Sequence, residues 1–259
     1  MNILEQLADR AKRRVAEAQK RKSSVEIREE ALGLPKGDFA FEKALGKDGL
    51  SFICECKKAS PSKGIIASEF PYREIAMDYE SAGADAISVL TEPSSFLGKD
   101  SYLEEIAATV SIPCLRKDFT VDEYMIYEAR ILGAAAVLLI VSILSPEQLK
   151  SYISCCDTLG LSAIVETHDE AEIDIAVNAG ARIIGVNNRN LKNFEVDIQH
   201  SQRLRELVPE NVLFVAESGI RNAEDVAAVR NAGADAVLIG ETLMKAVDRK
   251  AKLMELKGL

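Results

Sequence analysis

The chain has 259 residues, 47% of them hydrophobic and 28% charged, a length that suits one large α/β domain or two small ones, with a core needing no disulfide or metal staple. Its net charge of -9 speaks against a nucleic-acid partner, which requires a basic surface, but not against an anionic small molecule held by a few lysines and backbone amides. The odd cysteine count (Cys54, Cys56, Cys114, Cys155 and Cys156) lacks paired zinc spacing, so these read as small buried hydrophobes, and neither metal nor cofactor is expected.

At the N-terminus, Leu4, Leu7, Ala11, Val15 and Ala18 recur at helical spacing. They predict an amphipathic helix within an N-terminal helical extension, residues 1–47, that either plugs one end of the following domain or caps its catalytic face. Glu5 and Asp9 interrupt the stretch where a secretory signal would be apolar. The longest apolar run, Ile131 to Val141, is too short to span a membrane, and a cytoplasmic protein with no membrane partner is expected.

Beyond the extension an internal repeat dominates. Four segments join a small residue, glycine and alanine to an apolar run, with glycines at Gly83, Gly133, Gly180 and Gly233, roughly 50 residues apart. Each predicts a helix stopped by a left-handed glycine and a turn into a buried strand. Four more strands fall between them, at Ser51–Lys57, Ile112–Lys117, Ser162–Glu166 and Val212–Glu217, with helices such as Pro146–Thr158 and Asp169–Ala179 in the intervals. Eight evenly repeated βα units over residues 48–259 predict a (β/α)8 TIM barrel of the α/β class, in one domain spanning 1–259.

Catalytic groups of parallel barrels sit at the C-terminal ends of strands. All four odd-numbered strands here finish on ionisable residues: Glu55 and Lys57, Lys117, Glu166, and Glu217. Lys57, Lys117, Glu166 and Glu217 are expected in one plane at the mouth, where mixed charges in a cleft serve acid–base chemistry. The turns after strands 7 and 8, at Ser218-Gly219 and Gly240, suit a phosphate approached by backbone N–H groups. Ser60, in the loop after strand 1, offers a hydroxyl, and Asn187 with Arg189 after strand 6 suits a hydroxyl or carboxylate. His168 and His200 are expected in helical segments outside the mouth, as surface or packing residues.

Read in order, Glu55-Cys-Lys57-Lys-Ala-Ser60-Pro-Ser62, Leu90-Thr-Glu, Ser111-Ile-Pro, Lys117-Asp-Phe119, Val137-Leu-Leu-Ile, Glu166, Gly185-Val-Asn187-Asn-Arg189-Asn-Leu191, Ala216-Glu217-Ser218-Gly219-Ile220 and Leu238-Ile-Gly240 resemble the indole-3-glycerol phosphate synthase family over the whole barrel. The resemblance implies a lyase of tryptophan biosynthesis acting on 1-(2-carboxyphenylamino)-1-deoxyribulose 5-phosphate, an anionic sugar phosphate carrying an anthranilate group. It implies Lys117 as general acid, Glu166 as base, Glu55 as a partner of the lysines and Glu217 as a partner of sugar hydroxyls. Ser60, Ser218, Gly219 and Gly240 would hold the phosphate, and Lys57, Asn187 and Arg189 the aromatic carboxylate. Leu90, Phe96, Phe119 and Leu138 would wall the aromatic ring. Two departures stand out: Cys56 where several relatives carry Tyr, and Glu241 where some carry Ser. A carboxylate repels phosphate, so Glu241 is expected to point away from that site.

Two rival readings remain open to the sequence. A phosphoribosylanthranilate isomerase-like barrel would use a cysteine at the end of strand 1, Cys54 or Cys56, with an Asp where Glu166 stands. A non-catalytic barrel acting as a binding subunit has no need of mixed charges in one layer. Association is expected to go no further than a monomer or a weak homodimer.

Overall fold

The computed structural model describes residues 3–190 and 194–259; Leu191 of the motif above lies outside them. Eight parallel strands close into a barrel: β1 Ser51–Cys56, β2 Ala86–Leu90, β3 Cys114–Lys117, β4 Ala136–Ile140, β5 Ser162–Thr167, β6 Ile183–Asn187, β7 Leu213–Glu217 and β8 Ala236–Ile239. Each pairs with its sequence neighbour, and β1 closes the ring on β8 with Ser51 opposite Ala236. The repeat glycines all adopt left-handed backbone, with φ of +83° at Gly83, +84° at Gly133, +88° at Gly180 and +85° at Gly233. A side chain there would be strained, so the repeat is a device for stopping helices in register ahead of β2, β4, β6 and β8.

Period-two alternation splits the apolar residues between two cores. Ile53, Leu115, Ile164, Ile183, Val215 and Leu238 point into the barrel and pack together. Their neighbours, among them Phe52, Cys54, Cys114, Val165, Ile184 and Phe214, point outward against the helices. All five cysteines are buried free thiols.

The extension performs both of the roles between which the sequence left a choice. Helix α1, Ile3–Gln19, buries Leu7, Ala8, Ala11 and Val15 and lies over the C-terminal mouth, where Ile3, Leu4 and Leu7 face the central cavity. Helix α2, Ser24–Gly33, starts with a capping box in which Ser23 and Glu26 satisfy each other's backbone N–H groups. Helix α3, Ala40–Leu45, plugs the opposite end, with Phe41 and Leu45 fully buried and Ser162 Oγ accepting the Glu42 N–H at 3.1 Å. No described helix is long and apolar enough to cross a membrane.

Phe41→Ala should therefore empty the plug, at a cost of about 3–5 kcal/mol. Urea denaturation would show it as a lowered midpoint; a midpoint unchanged from the parent would mean that α3 contributes nothing to closing the barrel floor.

Candidate active site

At the mouth, strand register brings the odd-strand termini together. Leu90 stands opposite Lys117, Gly185 opposite Glu166, and Asn187 opposite Glu217. Lys117 Nζ lies 2.5 Å from Glu217 Oε2 and 3.2 Å from Glu166 Oε2. Asn187 Nδ2 donates to Glu166 Oε1 at 3.3 Å, and Asn187 Oδ1 accepts the Arg189 N–H at 3.0 Å. The second ion pair, Lys57 Nζ to Glu55 Oε1 at 2.6 Å, rests beside Gly240. Lys57 thus stands one step above the charged layer, and the β1 member of that layer is the buried Glu55, supported by Ser88 Oγ at 3.4 Å. The expected plane of Lys57, Lys117, Glu166 and Glu217 is corrected in this respect, because β1 ends at Cys56 and its last inward position is Glu55.

Burying these charges is costly unless each has a partner. Burial alone would lower the Lys117 pKa, but the carboxylates of Glu217, Glu166 and Glu55 outweigh it and keep the ammonium protonated. For Glu166, burial raises the pKa, and Lys117, His168 and Asn187 together more than reverse that, holding the carboxylate ionised. Glu217 shifts the other way: burial raises it, and Lys117 does not fully compensate beside the anionic Glu166. One cation between two carboxyls thus leaves one anionic and the other nearer neutrality.

Every residue singled out for the site lines one cavity of about 730 Å³. Leu90, Phe119 and Leu138 form a buried apolar wall, and the rings of Phe96 and Phe119 lie 6.2 Å apart between centroids. Ser60, Ser218, Gly219 and Gly240 lie on the cavity surface with Arg189. Ser218 and Gly219 are both left-handed, at φ +67° and +93°, a strained turn of the kind found at ligand sites. Buried Asn188, which the sequence reading left out, fixes this turn: its Nδ2 donates to the Ser218 carbonyl at 3.1 Å and its Oδ1 accepts the Ser201 N–H at 2.9 Å.

The sequence left the role of the N-terminal helix open between two choices, and it did not name the other members of the site described next. Ile3, Leu4 and Leu7 of α1 and Phe194 and Val196 after β6 join the cavity wall. Arg14 of α1 grips Asp118 with both guanidinium nitrogens, at 2.6 and 3.0 Å, and Thr91 Oγ1 donates to the same carboxylate at 2.6 Å. This ties the extension to the residue beside Lys117. Their sequence signal was weak, since only the fold shows which face of α1 meets the mouth.

One further expectation is corrected. His168 is in no helix: it follows Thr167, the last residue of β5, and its Nε2 is 3.4 Å from Glu166 Oε1. Two residues past Glu166, it keeps the same facing along the strand direction, and that alternation was the available signal. Glu241 is one of the cavity-lining residues, and its carboxylate lies 2.6 Å from Lys245, 3.6 Å from Arg189 and 4.0 Å from Lys63, so its charge is offset by cations.

Cys54 and Cys56 face the outer core, where burial pushes both thiols far above their usual range. That removes the cysteine an isomerase-like reading requires. Fold and site together define a (β/α)8 barrel of the enzyme kind, with a mixed-charge cavity at the C-terminal ends of its strands. The pattern of the family described as indole-3-glycerol phosphate synthase matches residues 4–256. Relatives bearing that name include proteins of Ruminiclostridium cellulolyticum, 58% identical with 99% of each chain covered, and of Endomicrobium trichonymphae, 52% identical with 98% of this chain and 99% of the relative covered. Among solved structures, a 3-hexulose-6-phosphate synthase superposes with a TM-score of 0.67 at 16% identity, over 81% of this chain and 99% of the other, a likeness of fold alone. The chain belongs to the indole-3-glycerol phosphate synthase family and is a carboxy-lyase of tryptophan biosynthesis.

A methyl group on Gly240 would collide with the Glu55 carboxylate and stand 3.0 Å from Lys57 Nζ. Gly240→Ala should therefore reduce kcat/KM by roughly tenfold or more while leaving the circular dichroism spectrum native. Unchanged steady-state kinetics would show that the Glu55–Lys57 pair does not depend on that space.

Proposed function

We propose that this cavity closes the indole ring of 1-(2-carboxyphenylamino)-1-deoxyribulose 5-phosphate with Lys117 as general acid and Glu166 as general base. The observation that carries the reading is the Lys117 ammonium, held protonated between Glu166 and Glu217 on the floor of a cavity with an apolar wall and two amide-lined turns. The ring carbon bearing the carboxylate attacks the ketone as Lys117 donates a proton to the carbonyl oxygen. Carbon dioxide leaves and its bonding electrons restore the aromatic ring. The new hydroxyl takes a second proton from one of the two cavity lysines, Lys117 or Lys57, and departs as water, while Glu166 removes the carbon-bound proton whose loss completes the indole, so that these two transfers balance.

Leu90, Phe96, Phe119 and Leu138 pack the aromatic ring. Ser60 and the N–H groups of Ser218, Gly219 and Gly240 receive the phosphate. Lys57, with Asn187 and Arg189, balances the aromatic carboxylate until it leaves. Glu55 steadies Lys57, and Glu217 accepts from the sugar hydroxyls when substrate draws Lys117 toward the ketone. The enzyme works as one domain, residues 1–47 closing both ends of the barrel formed by residues 48–259. It acts in the cytoplasm on a free small molecule, as a monomer or weak homodimer.

Indole emission gives a direct assay, because the chain contains no Trp. Lys117→Ala should lower turnover by about 10²–10⁴-fold while changing the affinity for a phosphate-bearing substrate analogue little. Equal losses of turnover and analogue affinity would reassign Lys117 to a structural role.

A further inference from the structure

Two residues beyond Glu166, His168 stands between two carboxylates. Its backbone N–H and its ring Nδ1 both reach Glu172 Oε2, at 2.7 and 3.0 Å. Its carbonyl accepts from His200 Nε2 at 2.7 Å. Glu172 is itself seated at the start of the helix Glu170–Asn178, where its N–H donates to the capping Asp169 Oδ1 at 3.0 Å. The ring is thereby aimed from three sides, and its Nε2 points at Glu166 Oε1, 3.4 Å away. Nε2 is buried and makes no hydrogen bond among the described residues.

An ionised carboxylate only accepts, so Nδ1 must carry the proton that bonds Glu172. A neutral ring would then turn a bare nitrogen lone pair toward the Glu166 carboxylate, an arrangement that repels. A proton on Nε2 converts the repulsion into an ion pair at 3.4 Å. Burial would drive the ring neutral, yet Glu166 and Glu172 outweigh it and raise its pKa to about 10. The other charged groups around it act through these two carboxylates: Lys117 shares Glu166, and Asp169 caps Glu172. His168 is not among the residues that line the cavity.

We propose that His168, as an imidazolium anchored by Glu172, is a positioning residue that holds Glu166 by its Oε1 edge and leaves Oε2 turned toward Lys117 and the substrate. This deepens the proposed function and rests on Glu166 being the base. The Glu166 carboxylate then has a fixed orientation and a second positive charge beside it. Both keep it deprotonated before it acts.

The test combines ring NMR with kinetics on the full chain, using His168→Ala, His168→Asn, Glu172→Gln and Glu166→Gln. With His168 and His200 the only histidines, the ring ¹⁵N signals are resolvable, and His168 should titrate near pH 10, and lower in Glu172→Gln, which removes one of its two carboxylate partners. His168→Ala should lower kcat by roughly tenfold with KM changed less than about threefold. The acid limb of its kcat profile should move up by about one pH unit, because Glu166 loses a cation. His168→Asn, which can donate without charge, should recover part of kcat but leave the acid limb displaced.

Stability gives a further readout with a definite sign. A raised folded pKa means that the His168 contribution is complete below about pH 6.5 and is lost as pH rises toward about 10, so the gap between parent and His168→Ala should narrow over that window. A His168 ring titrating near 6.5 in the parent, or an unmoved acid limb in a folded His168→Ala or His168→Asn, overturns the proposal. Glu166→Gln separates the two readings. Retained turnover removes Glu166 as the base, whereas lost turnover with an unmoved His168 titration removes the positioning role alone.

Discussion

A buried ammonium between two carboxylates is the interaction on which the site depends. Lys117, Glu166 and Glu217 come from three strands, and none of these charges is tolerable in the barrel interior without the others. The arrangement needs space as well as charge. Gly185 and Gly240 lack side chains where the Glu217 and Glu55 carboxylates lie, so two even-strand glycines make room for two odd-strand acids. A hydrophobic barrel layer of the usual kind would be simpler to fold, and the mixed layer marks the end of the barrel where chemistry is done.

Adjacent residues at the end of β3 show how one strand terminus serves several parts of the molecule. Arg116 turns outward and is fully buried against Asp100 and Glu128, at 2.7 and 2.6 Å, pinning the helices that flank the strand. Lys117 turns inward to the cavity. Asp118 is taken up by Arg14 from the capping helix and by Thr91 from the end of β2. The extension is thus coupled to the reacting end of the barrel by a buried ion pair as well as by apolar contact.

A chain of net charge -9 must still bind a substrate with two anionic groups. Local arrangement settles this, because salt screens distant charge while short-range partners act at full strength. Lys63, Arg189 and Lys245 gather round the single carboxylate of Glu241, leaving that rim with an excess of positive charge. Next to Glu166, the Glu172–His168 pair sets an imidazole 3.4 Å from the Glu166 carboxylate.

The sequence by itself determined the barrel and much of the site. Helix-stopping glycines at a fixed period and ionisable residues that break apolar runs are local signals, set by backbone sterics and by the cost of burying charge, and they survive without coordinates. Glu55, Lys117, Glu166 and Glu217 were legible for that reason, as were the turns at Ser218-Gly219 and Gly240. What only the tertiary structure decided were the relations between distant segments: α1 over the mouth and α3 under the floor, Arg14 on Asp118, Asn188 beneath the Ser218 turn, Glu241 among cations, and His168 beside Glu166. Such pairings depend on where the closing barrel carries each strand end, and a one-dimensional pattern holds no measure of that distance.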